Sequence, residues 1–177
     1  MMLKIIGILI ILTAGLFVYR WFKGVTRYYR IQVRDSLAAV SENPGIVSEE
    51  DFSSLPDPLI RYFRFTGIAG TQRVSHFKGK FQGRFKMDRN SDWAPVTAEQ
   101  YSFLESGQRL FKMILTFKGL PIYGLHHFYQ GDAFMTVKIL DLFKVIHNQG
   151  EFMKKGETVT WFNDLCLFAP ELFWMQM

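Results

Sequence analysis

A run of fifteen residues without a charge, Ile5 to Tyr19, constrains this chain more than any other feature. As a helix it would be roughly 22 Å long, at about 1.5 Å per residue. Snorkelling of the flanking Lys4 and Arg20 extends its reach toward the ~30 Å hydrocarbon core of a bilayer. No small-residue cleavage pattern follows it. Residues 1–22 are therefore predicted to form a single-pass transmembrane anchor.

A row of five cations follows this anchor, within a basic juxtamembrane helix and acidic linker predicted over residues 23–54. Their spacing places them on one face of a helix that is predicted to continue from Trp21 to about Val40. One interpretation is that these cations only set the orientation of the span, and their excess after the span favours a cytoplasmic body. The alternative is that they contact anionic lipid head groups. The row consists of Arg20, Lys23, Arg27, Arg30 and Arg34.

The formal net charge of +5 is concentrated at the amino terminus. Residues 1–34 contain six Lys or Arg and no Asp or Glu, which leaves 15 basic and 16 acidic residues in the rest. A nearly neutral body argues against nucleic acid as a partner. The membrane is the partner that this charge distribution predicts. The single cysteine, Cys166, excludes an intramolecular disulfide.

Residues 55–177 are predicted to form one α+β domain built on a curved antiparallel β-meander, a partial barrel-like sheet. Alternation over Phe77–Met87 places apolar residues and glycines on one side of a strand and polar or basic residues on the other. Turn glycines recur every twelve residues, at Gly107, Gly119 and Gly131. Further strands are predicted near residues 97–104, 109–117, 123–129 and 133–140.

Two helices are predicted to flank the sheet. The first begins after the prolines Pro56 and Pro58 and ends at Gly67. Its buried face is expected to hold Leu59, Ile60, Tyr62, Phe63 and Phe65. The second lies near residues 157–168, with a buried face that is expected to hold Val159, Phe162, Leu165 and Cys166.

The sequence offers little catalytic chemistry. His126 and His127 are neighbours on a predicted strand, so they point to opposite faces and cannot share one metal ion. Cys166 lies in an apolar setting that suits an inert side chain better than a thiolate. No catalytic residue, metal site or cofactor is predicted. A hydrolase-type enzyme that uses Glu99, one of the histidines or Asp132 stays open as an alternative.

The apolar face of the predicted sheet suggests a ligand site. The leading hypothesis is a non-enzymatic, membrane-anchored protein that holds an apolar or lipid-like ligand in the curve of the sheet. The side chains that would line this site are Phe77, Phe81, Phe85, Phe111, Met113 and Leu115. The alternative is a structural or protein-interaction component of the cell envelope, in which the same side chains form only a packed core.

Five motifs occur in consistent order along the body: Leu55–Phe63, Phe81–Phe85, Trp93–Gln100, Gln130–Met135 and Glu157–Asp164. With them the chain resembles a bacterial family of uncharacterised membrane-anchored proteins, domain of unknown function 6544. The resemblance carries over no activity and no binding residue. It implies several further β-strands after the helix near residues 157–168, so the domain is expected to be incomplete at residue 177.

Overall fold

A computed structural model describes residues 2–41 and 45–169. Within these residues the chain forms four α-helices, a short 3-10 turn at Glu49–Phe52 and six β-strands. The helices are α1 (Met2–Phe22), α2 (Val25–Ala38), α3 (Asp57–Thr66) and α4 (Glu151–Phe168). The strands are β1 (His76–Phe85), β2 (Ala94–Phe103), β3 (Gln108–Phe117), β4 (Leu120–Tyr129), β5 (Asp132–Ile139) and β6 (Phe143–Gln149). All neighbours pair antiparallel in chain order, which confirms the predicted α+β meander.

The glycine turns explain why five strands follow the predicted pattern. Gly119 and Gly131 have φ angles of 80° and 81°, and the residues before them, Lys118 and Gln130, also have positive φ. Two left-handed residues in a two-residue loop match the twist of an antiparallel hairpin. Each of the five predicted strands begins within three residues of an observed strand.

The sixth strand, β6, has no counterpart in the sequence prediction. The loop before it contains no glycine, although Leu140 and Asp141 adopt φ angles of 56° and 58°. Aspartate tolerates this conformation, whereas for a leucine it is strained. The β5–β6 loop is therefore held by its surroundings rather than by a turn sequence.

Helix α2 lies along one face of the sheet, the α2 face. Its residues Val25, Tyr29 and Val33 form a buried cluster with Leu110 and Leu125 of the sheet. The predicted continuous helix from Trp21 to Val40 is wrong in one respect. The chain leaves helical geometry at Gly24, with φ −61° and ψ 149°, so α1 and α2 are separate helices.

Helix α4 crosses the opposite face, the α4 face. It runs from β6 toward β1, where the ring of Phe168 lies 5.4 Å from that of Phe77. Trp161 packs on Phe128 with ring centroids 6.0 Å apart. The predicted buried face of this helix was partly wrong. Leu165 is buried as predicted and Cys166 is partly buried. Two side chains that were predicted to be buried, Val159 and Phe162, are exposed. The side chains of α4 that are buried against the sheet are instead Glu157, Trp161 and Leu165.

Helix α3 packs against the 3-10 turn rather than against the sheet. Its end is confirmed at Gly67, which caps the helix with a φ of 69°. Phe63 is fully buried, and its ring lies 5.6 Å from that of Phe52. The prediction that Tyr62 and Phe65 are also buried was wrong, since Phe65 is 89% exposed and Tyr62 lies on the surface. At about 100° per residue, Phe65 lies about 200° around the helix from Phe63, so the face that buries Phe63 leaves Phe65 exposed.

The β5–β6 loop fixes the junction between α1 and α2. The Asp141 carboxylate accepts hydrogen bonds from the backbone N–H groups of Val25 at 2.5 Å and Thr26 at 3.1 Å. It thereby satisfies donors that the first turn of a helix leaves unpaired. A Cβ atom on Gly24 would lie 2.9 Å from the Asp141 carboxylate oxygen, so glycine allows this close approach.

We expect Asp141→Ala to lower the free energy of unfolding by about 1 kcal/mol, because α2 loses its only cap from a side chain in the described structure. Asp141→Asn should cost less, since asparagine keeps one acceptor oxygen and tolerates positive φ. Denaturation of the detergent-solubilised protein measures both. Equal stability of Asp141→Ala and the original protein would contradict the capping role.

Candidate functional site

A pocket of about 390 Å³ lies between the α1–α2 junction and strands β4, β5 and β6. We call it the junction pocket. Helix α1 and the start of α2 form one wall, and the sheet forms the other. Its lining residues are Leu16, Tyr19, Arg20, Lys23, Gly24, Val25, Tyr28, Leu125, Phe134, Thr136, Lys138, Leu142, Lys144 and His147.

The junction pocket is positively charged. Four of its lining residues are Lys or Arg, and none of these described residues is Asp or Glu. Lys138 is only 8% exposed, and its ammonium group donates to the backbone carbonyl of Lys23. Burial lowers the pKa of Lys138, while the nearby charge of Asp141 acts in the opposite direction. An anion beside Lys138 would therefore meet a partly desolvated cation, whose electrostatic attraction is stronger than in water.

The same pocket has an apolar side. Leu16 and Tyr19 reach it from the last turns of α1, and Phe134 and Leu142 reach it from the sheet. By length and composition, the amino-terminal helix is able to cross a membrane. The apolar surface of that helix continues directly into the pocket. This combination of apolar wall and cations suits an amphiphile with an anionic group.

The structure divides the row of five cations into two groups. Arg20 and Lys23 line the junction pocket. Arg27, Arg30 and Arg34 line a second, larger pocket of about 570 Å³ on the other side of the junction. Of these, Arg34 forms an exposed ion pair with Asp35 at 2.8 Å. The predicted lipid-contact residues therefore do not form one continuous site.

His127 lies in a chain of hydrogen bonds on the α2 face. Gln108 donates its amide N–H to Nε2 of His127 at 3.1 Å, and Tyr28 lies 3.0 Å from Nδ1. Ser36 donates to the other end of the Gln108 amide at 2.5 Å. Burial lowers the pKa of His127 to about 4, so the ring is neutral at physiological pH. These contacts tie α2 to the sheet.

His126 points to the α4 face, as the alternation predicted, and joins a buried ionic network. Its Nδ1–H donates to the Glu157 carboxylate at 2.6 Å, and Arg109 donates to the same carboxylate at 3.0 Å. Arg109 also donates to Asp164 at 2.7 Å and to Gln100 at 3.3 Å. Burial raises the pKa of Glu157, but the hydrogen bond and charge of His126 and the charge of Arg109 outweigh it, so the pKa is lowered overall. The network fixes α4 on the sheet.

The residues proposed for an alternative hydrolase site form no hydrogen bond or ion pair with one another among the described contacts, although His127 and Asp132 line the same pocket of about 510 Å³. Glu99 pairs with Lys78 at 2.6 Å on the α2 face, whereas His126 contacts Glu157 on the α4 face. Asp132 pairs with Lys154 at the surface. Within the described residues, no group of three or more His, Cys, Asp or Glu side chains is arranged to hold a metal ion.

The six side chains predicted to line a ligand site all lie on the α4 face, as the strand register shows. Their environments differ. Phe77 packs on α4, and Leu115 is buried with Ala94 and Ile122. The remaining members are partly buried or exposed: Phe81, Phe85, Phe111 and Met113.

Two glycines allow these apolar side chains to lie flat on the sheet. A Cβ atom on Gly79 would come within 2.7 Å of the Phe81 ring. A Cβ atom on Gly124 would come equally close to the Met113 side chain, at 2.7 Å. Phe81 thereby reaches Phe111, with ring centroids 6.4 Å apart. Phe81 and Met113 therefore cover part of the α4 face themselves.

We expect His127 to make stability sensitive to mild acid. Because its pKa is about 4 in the folded state and about 6.5 in the unfolded state, the unfolded chain binds the proton first as the pH falls. Unfolding free energy should drop by about 2–3 kcal/mol between pH 6.5 and 4 from this group. In His127→Gln this component should vanish, whereas in His147→Gln it should persist. Identical pH profiles for both variants would contradict the assignment.

We expect Glu157→Gln to destabilise the fold by about 3 kcal/mol, because it leaves buried Arg109 with one charged partner fewer. Since the pKa of Glu157 is lowered in the fold, its contribution is fully present above the unfolded value near 4.5 and declines as the pH falls from there through the lower folded value. Denaturation curves at pH 7 and pH 3.5 test both points. The matched control is Glu151→Gln on the exposed end of α4, which should change little.

Comparison with known proteins adds a family and no activity. Residues 45–176 match the model described as a family of unknown function, DUF6544. No curated protein and no solved structure matches the chain. The matched region includes the whole sheet, α3 and α4, which together carry the motifs noted in the sequence. The chain therefore belongs to this family of unknown function, DUF6544.

Proposed function

We propose that this chain is a membrane-anchored, non-enzymatic protein that binds an anionic lipid in the junction pocket. The observation that carries the proposal is the composition of the pocket, in which four cations face an apolar wall formed partly by α1. A soluble anion would need only the cations, and an uncharged hydrophobic ligand would need only the apolar wall. A lipid with a negatively charged head group uses both.

The anchor supplies the geometry of the proposed complex. Helix α1 spans the bilayer once, and Arg20 and Lys23 then lie at the level of the lipid phosphates. The excess of cations after the span favours a cytoplasmic body. In this orientation, the junction pocket opens at the membrane surface, where a lipid enters it without leaving the bilayer.

Different residues of the junction pocket contact the head group and the acyl chain of the lipid. Lys23, Lys138 and Lys144 contact the phosphate through charge-assisted hydrogen bonds, and Lys138, which is buried and held by the Lys23 carbonyl, is the best ordered of the three. Leu16 and Tyr19 contact the first part of an acyl chain, and the remainder of the chain stays among its neighbours in the bilayer. Because every cation is close to the bound phosphate, removal of one weakens binding by about 1 kcal/mol, or roughly fivefold.

A second candidate surface for the same ligand class lies on the α4 face. Phe81 and Phe85 are exposed on β1, at the end of the sheet that also carries the α1–α2 junction. An acyl chain on this surface would be held by apolar contacts alone. Binding there would be insensitive to the head-group charge, which distinguishes it from binding in the junction pocket.

Native mass spectrometry of the full chain in mild detergent tests the proposal. Phosphatidylglycerol, which is anionic, should bind at least tenfold more tightly than phosphatidylcholine, which is zwitterionic. Lys138→Met and Lys144→Gln should each weaken phosphatidylglycerol binding by about fivefold. Lys155→Gln is the matched control, since it removes the same charge from an exposed position on α4.

Four outcomes would redirect the assignment. Equal binding of both lipids, or an equal effect of Lys155→Gln, would contradict a specific anion site. Loss of lipid on Phe81→Asp but not on Lys138→Met would move the ligand to the α4 face. A folded protein that binds neither lipid would favour the protein-interaction alternative.

A further inference from the structure

The end of the sheet beside α1 carries exposed apolar side chains. Leu140 in the β5–β6 loop is 43% exposed, and Phe143 at the start of β6 is 50% exposed. Leu120, at the start of β4, is exposed beside them. The backbone N–H of Leu140 donates to the carbonyl of Pro121 at 2.9 Å, which holds the two strand ends together. We call Leu120, Leu140 and Phe143 the apolar rim.

Direct contacts place the apolar rim at the level of the last turn of α1. Arg20 donates to the backbone carbonyl of Leu142 at 3.3 Å, and its guanidinium lies 5.1 Å from the centre of the Phe143 ring. Trp21 and Phe22, the next residues of α1, are themselves exposed. Aromatic side chains at the end of an apolar helix are typical of the membrane interface.

The opposite end of the sheet has a different character. Glu105 lies in the β2–β3 loop at this end, and Asp132 and Glu151, the first residues of β5 and α4, both pair with Lys154. The apolar rim is instead flanked by Lys118 and Lys144. The exposed side chains of the apolar rim therefore lie at the α1 end, and not at the end that carries Glu105.

The backbone of the apolar rim is strained at Leu140. Leu140 adopts a left-handed conformation that a leucine rarely accepts, and the loop is held there by the contacts of Asp141 and Arg20. This arrangement keeps Leu140 and Phe143 exposed beside α1 rather than turned into the core. Large apolar side chains that are fixed in exposed positions indicate a surface that contacts something apolar.

We propose that the apolar rim inserts into the bilayer surface beside the anchor. The domain would then contact the membrane with the α1 end of its sheet. The inference rests on the membrane anchoring in the proposed function, but it does not need the anionic lipid. Phe143 and Leu140 enter the interfacial layer, and Lys118 and Lys144 remain among the head groups. The turn that contains Glu105 points away from the membrane.

Site-specific fluorescence on the full chain in vesicles tests this orientation. The only cysteine is Cys166, so Cys166→Ala provides a background in which one introduced cysteine carries an environment-sensitive NBD label. The label goes on Phe143→Cys and, separately, on Leu120→Cys. The control is Glu105→Cys at the far end, roughly 27 Å away along the eight residues of β5.

The vesicles are pure phosphatidylcholine, with and without a lipid that carries a nitroxide near its head group. The labels at positions 143 and 120 should emit at shorter wavelength than the label at 105. The nitroxide should quench them at least threefold more strongly. Because this membrane contains no anionic lipid, the result is independent of ligand binding in the junction pocket.

Two results would overturn the inference. Equal, weak quenching at positions 143, 120 and 105 would show that the apolar rim stands clear of the bilayer. A short emission wavelength at 143 and 120 without nitroxide quenching would show that protein, such as a second copy of the chain, covers the rim. If Phe143→Cys loosens the contact with Arg20, the label at position 120 reports independently.

Discussion

The carboxylate of Asp141 at the start of α2 is the contact on which the arrangement of this chain depends. Gly24 has no side chain to cap the helix, so the first N–H groups of α2 need an acceptor from elsewhere. Asp141 supplies it from 116 residues away, and its charge complements the positive end of the helix dipole. The same contact fixes the β5–β6 loop. Asp141 therefore joins the two walls of the junction pocket, together with the hydrogen bonds from Lys138 to the Lys23 carbonyl and from Arg20 to the Leu142 carbonyl.

The two faces of the sheet hold their helices with different chemistry. On the α2 face, neutral hydrogen bonds connect Ser36, Gln108, His127 and Tyr28 beside an apolar cluster. On the α4 face, Arg109 is surrounded by acceptors from α4 and β2. A shift of α4 by one turn would leave a buried guanidinium without its partners, which is costly. The ionic network therefore specifies one position of α4, whereas apolar contacts alone would tolerate several.

The sequence predicted what local rules determine. Gly119 and Gly131 supply the left-handed turns, so the strands around them could be placed within a few residues. The β5–β6 turn escaped prediction because Leu140 takes the same conformation only under tertiary constraint. Glu157 was not assigned to the buried row of α4, since a carboxylate is buried only with partners, and Arg109 lies 48 residues away. The junction pocket also escaped prediction, because its walls are distant in the chain and meet only in the fold.

The boundary of the family match divides the residues that line the junction pocket. The matched region begins at residue 45 and so contains the sheet wall, with Phe134 and Lys138, but not the wall that carries Leu16 and Lys23. A chain with the same sheet and a different leading segment would line the pocket differently. Chimeras joined near residue 45 would exchange one wall at a time, so the charge and the apolar surface of each wall could be altered separately.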